Sequence, residues 1–244
     1  MAETALILGA NSDIARAIAH QFASKGYNLY LAARNSSRLE PDVSDIQIRY
    51  GRDVQILEFD ALDYASHKQF YADITPKPDI VFCVFGLLGD QKKAEKDWNQ
   101  AREIIAVNYE GAVSILHHIA NEMEIRKKGV IVGISSVAGD RGRASNYYYG
   151  SAKAGFTAFL SGLRNRLSKK GVRVLTVKPG FVNTAMTEGL NLPSPITAQP
   201  AEVAKAIYQA VQSRKNVLYT RWMWRYIMLI IRNIPEFVFK KLSL

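Results

Sequence analysis

The hydrophobic pattern of the chain alternates between short, almost wholly apolar runs and longer amphipathic stretches. The runs have the length of buried strands, and the stretches between them repeat apolar residues at helical spacing, as residues 14–22 do. No turn signal joins neighbouring runs into a hairpin. The pattern therefore predicts an α/β fold, a doubly wound parallel sheet of about seven strands with helices on both faces. The predicted strands are residues 4–8, 28–32, 54–59, 79–86, 129–134, 173–177 and 216–219.

The first predicted strand ends in a turn of small residues that leads directly into a helix. Free backbone N–H groups at a helix N-terminus bind anions, so this turn is a candidate phosphate site of a Rossmann-like fold. A turn of small residues with a single glycine is also common in purely structural roles. The candidate residues are Gly9, Asn11, Ser12, Asp13 and Ile14.

Two charged residues follow the second and third predicted strands. Arg34 lies near the position where a fold that prefers NAD usually carries an acid, and an arginine there favours the 2′-phosphate of NADP. In isolation, a solvated surface arginine is an equally good interpretation. Asp60 is placed to accept a hydrogen bond from an adenine amino group. Together they predict NADP(H) as the preferred dinucleotide, with NAD(H) as the alternative.

A serine, a tyrosine and a lysine form the strongest chemical pattern in the chain. Tyr149 and Lys153 are spaced i,i+4, which places them on one face of a helix, and Ser136 follows the fifth predicted strand. A lysine beside a tyrosine favours the phenolate, so the phenol becomes a proton donor and acceptor near neutral pH. Because such pairs also occur by chance on amphipathic helices, the catalytic interpretation depends on the serine and the nucleotide site.

Composition limits the function classes without choosing among them. At 244 residues, 48% of them apolar, the chain is long enough for one α/β domain. Cys83 is the single cysteine and the four histidines lack metal-ligand spacing, so we expect neither a disulfide nor a metal site. The N-terminus lacks the features of a signal peptide and no apolar run is long enough to span a bilayer, so a cytoplasmic protein is expected.

Positive charge is concentrated at the C-terminal end of the chain. The net charge is +10, and residues 214–244 contain seven Lys or Arg and one Glu. Residues 221–234 predict a helix with a narrow arginine stripe and a wide apolar and aromatic surface, which is typical of a helix on an anionic membrane face. The alternative is a segment packed into an oligomer interface or over the substrate cleft. We therefore divide the chain into a nucleotide-binding domain, 1–219, and a tail, 220–244.

Together these motifs resemble the short-chain dehydrogenase/reductase family over residues 4–219. Ser136, Tyr149 and Lys153 match its catalytic residues in order and spacing. The resemblance implies hydride transfer between a nicotinamide and a carbonyl carbon, with Tyr149 as the proton donor. It implies that Lys153 lowers the pKa of Tyr149 and that Ser136 fixes the carbonyl oxygen. Asn108 matches the family's helix asparagine, which implies a water-holding role. Further residues expected at the cofactor are Asp60, Ala61, Phe85, Gly86, Pro179, Gly180, Val182 and Thr184.

The chain departs from the family pattern in two places. Asp13 and Ala15 stand where the family's motif has its second and third glycines. A carboxylate beside a pyrophosphate is unfavourable unless it turns away to cap the helix. Residues 83–86, CVFG, replace the usual Asn-Asn-Ala-Gly, so the amides that normally brace the sheet at this point are missing.

A closer similarity is to the decaprenylphosphoryl 2-keto-pentose 2-reductases, a branch that reduces a polyprenyl-phosphate-linked keto-sugar. The shared features are the NSDI loop, the SSVAGDRGRASNYYYGSAKAG block and the ending WRYIMLIIRNIPEFVFKKL. This resemblance implies a lipid-linked or membrane-borne keto substrate. Arg141 and Arg143 lie between Ser136 and Tyr149, where they either bind a substrate phosphate or are solvated.

Three functions are compatible with these observations. The leading hypothesis is an NADP(H)-preferring reductase of a lipid-linked or membrane-associated ketone. The alternatives are a soluble 3-oxoacyl or other small carbonyl reductase, and a catalytically inactive nucleotide-binding scaffold, which the complete Ser136, Tyr149, Lys153 and Asn108 set disfavours. Residues 181–199 are predicted to form a substrate lid. The resemblance also implies a homodimer or homotetramer, and nothing in the sequence indicates a nucleic-acid partner.

Overall fold

A seven-stranded sheet, parallel throughout, forms the centre of the molecule in a computed structural model that describes residues 2–189 and 191–242. The strand order is β3-β2-β1-β4-β5-β6-β9. The strands are β1 Thr4–Leu8, β2 Asn28–Ala33, β3 Val54–Glu58, β4 Ile80–Cys83, β5 Gly129–Ile134, β6 Val172–Lys178 and β9 Val217–Tyr219, with a separate parallel pair, β7 Phe181–Val182 and β8 Thr197–Ala198.

Helices cover both faces of the sheet, and each face has its own core. On one face Ile18 and Phe22 pack with Val203 and Ile207, and on the other Ile115 and Ile119 pack with Phe156 and Leu160. Because β1 is buried on both faces, its side chains alternate between the two cores. The helices are α1 Asp13–Ala23, α2 Glu40–Tyr50, α3 His67–Asp73, α4 Gln91–Ala94, α5 Trp98–Ile105, α6 Gly111–Arg126, α7 Tyr147–Leu167, α8 Pro200–Gln212, α9 Met223–Asn233 and α10 Glu236–Phe239.

The predicted fold class is confirmed, and the main differences lie where the chain leaves the sheet. The fourth strand ends at Cys83 rather than at residue 86, and residues 85–87 line a cleft. Between β4 and β5, helices α5 and α6 are joined by a π-helical turn at Ala106–Glu110. The short β7–β8 pair, formed inside the expected lid, is absent from the hydrophobic pattern because each of its strands has two residues.

The C-terminal helix α9 packs against the sheet domain. Trp224 and Met228 are buried and form a small core with Val137 and Phe181. In the structure the tail packs over the substrate cleft, which is one of the arrangements expected from the sequence. The opposite face of α9 is exposed. Across the described residues, no helix has both the length and the apolar character that a bilayer crossing needs.

Candidate active site

Two adjoining clefts lie at the carboxyl ends of the strands, beside the point where the sheet order reverses between β1 and β4. Ligands of open α/β sheets bind at this position. One cleft, of about 1460 Å³, runs over the ends of β1, β2 and β3. The other, of about 910 Å³, lies over β5 and β6 and is lined mostly by apolar surface. Gly86 lines both clefts, so a single extended molecule can occupy them together.

The turn after β1 requires a glycine at its first position. Gly9 has φ of +87°, and a Cβ there would meet the backbone nitrogen of Phe85 at 2.6 Å. Its N–H and that of Ala10 both donate to Ala32 O, which joins the turn to the end of β2. The turn therefore brings the N-terminus of α1 to the floor of the cleft, as an anion site requires.

The three residues after this turn use their side chains in different ways. Ser12 is the N-cap of α1, and its Oγ accepts from Ala15 N–H at 3.3 Å. Asn11 Nδ2 donates to Arg34 O, while its buried Oδ1 has no hydrogen-bond partner among the described residues and lines the cleft. Asp13 lines neither cleft, and its carboxylate accepts from Ala185 N–H at 2.8 Å, whereas Ser12 caps α1.

The loop after β2 forms the far end of the first cleft. Arg34 and Arg38 both line it and are exposed. Glu58 was not predicted as a site residue. Its two carboxylate oxygens accept from Asn35 N–H and Ser36 N–H at 2.9 Å each. These bonds lower the pKa of Glu58. Its position at the carboxyl end of β3, opposite Ala33 of β2, is the signal that would have found it. Glu58 thus fixes the loop that carries the two arginines.

Asp60, Ala61 and Phe85 line the same cleft, as expected. One oxygen of Asp60 accepts from Leu62 N–H at 2.9 Å, which orients the carboxylate and leaves its second oxygen without a hydrogen bond to the described residues. Phe85 packs against Phe59 with ring centroids 5.7 Å apart. The cleft therefore has an apolar wall and a hydrogen-bond acceptor, which fit a purine ring.

Ser136, Tyr149 and Lys153 converge where the second cleft meets the first. All three line the second cleft, Ser136 from the end of β5 and the other two from one face of α7. Lys153 Nζ lies 5.7 Å from the centroid of the Tyr149 ring and donates to Ile134 O at 3.1 Å. The helix approaches this closely because Gly139 and Gly150 contact backbone atoms of neighbouring segments. The arrangement holds a phenol, a hydroxyl and an ammonium around one point.

The protonation states at this site differ from the simplest expectation. Burial raises the pKa of Tyr149, and a hydrogen bond with Ser136 opposes that rise only in part. Burial also lowers the pKa of Lys153 to about 8. The net effect on the pKa of Tyr149 is therefore a rise, because desolvation of the site disfavours both charged forms, and the lowering by Lys153 that the resemblance implies stays a prediction. Tyr149 is a protonated phenol at neutral pH, which is the form a proton donor needs.

Asn108 lies in the π-helical turn, buried behind the junction of the clefts. Its Nδ2 donates to Leu87 O at 2.6 Å and Ile104 O at 2.8 Å, and its Oδ1 accepts from Leu87 N–H at 3.2 Å. A Cβ on Gly86 would meet Asn108 Oδ1 at 2.8 Å and Lys153 Nζ at 3.3 Å, so the amide lies beside the lysine. Asn108 thus braces the segment after β4 that lacks the family's asparagines.

The segment after β6 and helix α9 close the second cleft. The lining residues include five that were predicted to bind the cofactor, Ile14, Pro179, Gly180, Val182 and Thr184. Thr184 Oγ1 lies 3.4 Å from Thr187 Oγ1 within a short 3-10 turn of the expected lid. Trp224 was missed as a site residue. Its Nε1 donates to Ile196 O at 3.0 Å, and its indole lies so close to Gly180 that a Cβ there would overlap it.

The two arginines of the loop after β5 separate in the structure. Arg143 lines the second cleft, whereas Arg141 does not. Arg141 donates to Ile231 O and Ile234 O at the C-terminus of α9, pairs with Glu236 at 2.8 Å and lies over the ring of Phe239. The expectation that Arg141 faces the substrate is therefore wrong, because its guanidinium holds the tail in place.

Comparison with known proteins agrees with this geometry. The family model described as short chain dehydrogenase matches residues 3–194. The chain belongs to the short-chain dehydrogenase family. An uncharacterised oxidoreductase of Mycobacterium tuberculosis is 38% identical over 240 residues, covering 97% of this chain and 96% of its own length. Serine 3-dehydrogenase of Agrobacterium fabrum is 29% identical, covering 89% and 91%.

Solved short-chain dehydrogenases share the fold. One from Sphingobium yanoikuyae, in complex with NADPH, superposes with a TM-score of 0.83 at 23% identity and covers 96% of this chain and 97% of its own. An alcohol dehydrogenase of Thermococcus sibiricus, complexed with 5-hydroxy-NADP, has a TM-score of 0.81 at 24% identity, with 91% and 97% covered. As a member of the short-chain dehydrogenase family, the protein is an NAD(P)-dependent oxidoreductase that acts on CH–OH groups.

Proposed function

We propose that the protein is an NADP(H)-dependent reductase of a ketone borne on a lipid or a membrane surface, such as a polyprenyl-phosphate keto-sugar. The observation that carries the reductase is the convergence of Ser136, Tyr149 and Lys153 where the two clefts meet. A dinucleotide is long enough to extend from one cleft into the other, which brings its reactive end beside the phenol. Because the serine, tyrosine and lysine are all present, an active reductase is favoured over a catalytically inactive nucleotide-binding scaffold.

The residues of both clefts fit a dinucleotide. The unpaired Asn11 Oδ1 and the free oxygen of Asp60 accept hydrogen bonds from ribose hydroxyls and an adenine amino group. The N-terminus of α1 receives the pyrophosphate, and Gly9 allows the close approach. The Asp13 carboxylate is compatible with a pyrophosphate at this helix N-terminus, because it is hydrogen-bonded to Ala185 N–H. When bound, the nicotinamide supplies the hydride.

The chain supplies the proton and the alignment. Ser136 Oγ donates to the carbonyl oxygen of the substrate, and Tyr149 gives that oxygen its proton as the alcohol forms. Lys153 stabilises the phenolate that results and bonds the nicotinamide ribose. Thr184 bonds the carboxamide. Asn108, braced against Leu87, holds a water that returns a proton to the relay, while Trp224 and Val182 keep bulk water from the carbonyl.

Arg34 and Arg38 support a preference for NADP(H), because both guanidinium groups line the adenosine end of the first cleft. We expect Arg34→Ala to lower the ratio of kcat/KM for NADPH to that for NADH by about tenfold, through loss of a charge-assisted bond to the 2′-phosphate. The measurement is steady-state oxidation of each coenzyme with a panel of ketones. Arg49→Ala, on a surface arginine paired with Asp45, is the matched control. An unchanged ratio in Arg34→Ala would remove Arg34 from coenzyme selection.

The exposed face of α9 supports the membrane-borne substrate. Trp222, Tyr226, Leu229 and Ile230 recur at helical spacing on this face, and Phe237 follows in α10. The exposed basic residues Arg225, Arg232, Lys240 and Lys241 are near this stripe in the sequence. An apolar stripe with basic neighbours complements an anionic lipid surface. Because Trp224 on the opposite face walls the second cleft, docking α9 on a bilayer would present that cleft to a lipid-linked ketone.

A single charge on this face tests the docking without disturbing the core. Ile230 is 67% exposed, and we expect Ile230→Glu to reduce co-sedimentation with phosphatidylglycerol-containing vesicles at least fivefold, since a carboxylate must then enter the interface. Ile125→Glu, at a position 83% exposed on α6, is the control and should bind as the wild type does. Equal sedimentation of both variants would contradict membrane docking. A shift from dimer or tetramer to monomer in Ile230→Glu alone would assign the face to a second copy instead.

A further inference from the structure

We infer that Arg143 and Asn146 form a subsite for a ketone that carries an anionic group and a hydroxyl near its carbonyl. The inference rests on the proposed reductase function and specifies its substrate chemically. It depends on two buried polar atoms without a hydrogen-bond partner among the described residues, which belong to residues that line the second cleft, and on the charges around them.

Arg143 brings an unneutralised cation into an apolar cleft. Its side chain is half-buried, lines the cleft with Ser136 and Tyr149, and its buried Nε has no hydrogen-bond partner among residues 2–189 and 191–242. Burial lowers the pKa of Arg143, which shows that the guanidinium is partly desolvated. A desolvated cation without a partner destabilises the folded protein, so its presence in a cleft indicates that a ligand supplies the anion.

Asp140 makes no ion pair with Arg143. Its charge raises the pKa of Arg143, but both of its carboxylate oxygens are engaged by other groups. One accepts from Lys178 Nζ and the other from Tyr219 OH at 2.7 Å. Asp140 is thereby fixed to the ends of β6 and β9, and the positive charge of Arg143 is left for a ligand.

Asn146 adds an acceptor to the same wall. It is the N-cap residue of α7, where an asparagine side chain usually bonds the first turn of the helix. Here the side chain makes no capping bond, and its buried Oδ1 has no hydrogen-bond partner within the described part of the chain. Asn146 lines the cleft beside Arg143 and lies one helical turn before Tyr149. A donor and an acceptor therefore stand together next to the reacting carbonyl.

A cation beside an acceptor defines the chemistry of the ligand. The guanidinium binds phosphoryl or carboxylate oxygens through charge-assisted bonds, and the amide oxygen accepts from a hydroxyl. A hydrocarbon ketone would leave both buried groups unpaired, which costs binding energy and so disfavours it. The subsite therefore selects hydroxylated, anionic ketones over neutral, apolar ones.

The test measures binding, so that it does not depend on turnover. Phenyl phosphate, benzoate and benzyl alcohol are titrated into the protein held with saturating NADP+, and binding is followed by isothermal titration calorimetry. We expect the anionic probes to bind more tightly than benzyl alcohol, and Arg143→Met to reduce that preference by about 10- to 100-fold. The phosphate and carboxylate arms show which anion the subsite favours.

Two further variants make the outcome decisive. Asn146→Asp has nearly the same shape and adds a negative charge beside Arg143, so it should reduce the same preference while leaving the fold intact. Arg49→Ala, at an exposed arginine of α2 that lines neither cleft, should leave this preference unchanged, and saturating NADP+ keeps the probes from the cofactor phosphate sites. An equal affinity of wild type for phenyl phosphate and benzyl alcohol, or an unchanged preference in both Arg143→Met and Asn146→Asp, overturns the proposal. Absence of any ketone-dependent NADPH oxidation would instead contradict the reductase function.

Discussion

Replacing Tyr149 with phenylalanine is expected to lower kcat for ketone reduction by about a thousandfold while NADPH still binds. A positioned general acid contributes about 10²- to 10⁴-fold to a proton-transfer step, and the Tyr149 phenol is the group that we propose gives its proton to the carbonyl oxygen. The ring itself packs in a small core beside Ile104 and Leu87, so phenylalanine keeps the volume and removes only the hydroxyl. Steady-state NADPH oxidation gives kcat, and quenching of protein fluorescence gives the cofactor affinity.

Tyr147 supplies the control for this substitution. It lies two residues earlier on α7, is exposed, and does not line either cleft. Tyr147→Phe should therefore retain wild-type kcat. Turnover of Tyr149→Phe within tenfold of the wild type would show that another group donates the proton. Loss of NADPH binding in Tyr149→Phe would show that the phenol acts on the cofactor rather than on the carbonyl.

The sheet and the placement of the Tyr149 phenol follow from local patterns in the sequence. Strand β1 is a run of apolar residues because it is buried on both faces, and Tyr149 and Lys153 share a face because four residues make about one helical turn. The serine at the end of β5 reaches them because parallel strands deliver their carboxyl ends to one edge. Each of these inferences needs only the period of a strand or a helix.

Other features depend on contacts that no local pattern contains. Arg141 and Arg143 are two residues apart in one loop, yet Arg141 binds carbonyls of α9 about ninety residues away and Arg143 faces the cleft. Asp13 accepts from Ala185 N–H, although the two residues are 172 positions apart in the sequence. Whether a charged side chain meets solvent, a ligand or a remote carbonyl is decided by packing, which explains why these assignments could not be made from spacing.

The tail shows the same limit in its aromatic residues. Trp222 and Trp224 both suited a membrane interface in the sequence. Residues two positions apart on a helix point to nearly opposite sides. In the structure Trp222 is 72% exposed, whereas Trp224 is 3% exposed and packs against Gly180. Helical periodicity could separate the two faces, but only the position of α9 over β6 identifies which face closes the cleft. A deletion of residues 220–244 would therefore damage the cleft as well as any membrane contact.

We expect the titration of Lys153 to lower kcat/KM and to raise the free energy of unfolding as pH increases. Burial lowers its pKa to about 8 from an ordinary value of 10.5. Reduction requires the ammonium to stabilise the Tyr149 phenolate, so kcat/KM should fall about tenfold per pH unit above this pKa. Between these two values the unfolded chain binds the proton and the folded chain does not. The free energy of unfolding must therefore rise with pH between these two pKa values, because the unfavourable burial of the Lys153 charge is removed as the lysine deprotonates.

The experiment compares wild type with Lys153→Met at each pH from 6 to about 10. Lys153→Met should have a kcat/KM at least 100-fold below that of the wild type at pH 7 and no downward limb near pH 8. Its free energy of unfolding should exceed that of the wild type most below pH 8, where the buried ammonium is charged, and the difference should narrow as pH rises. Subtracting the two unfolding curves cancels the titration of other groups, such as Tyr71. The proposed role of Lys153 would be contradicted if the fall in wild-type kcat/KM coincided with a fall in wild-type stability relative to Lys153→Met. The loss of activity would then reflect unfolding and not the charge on Lys153.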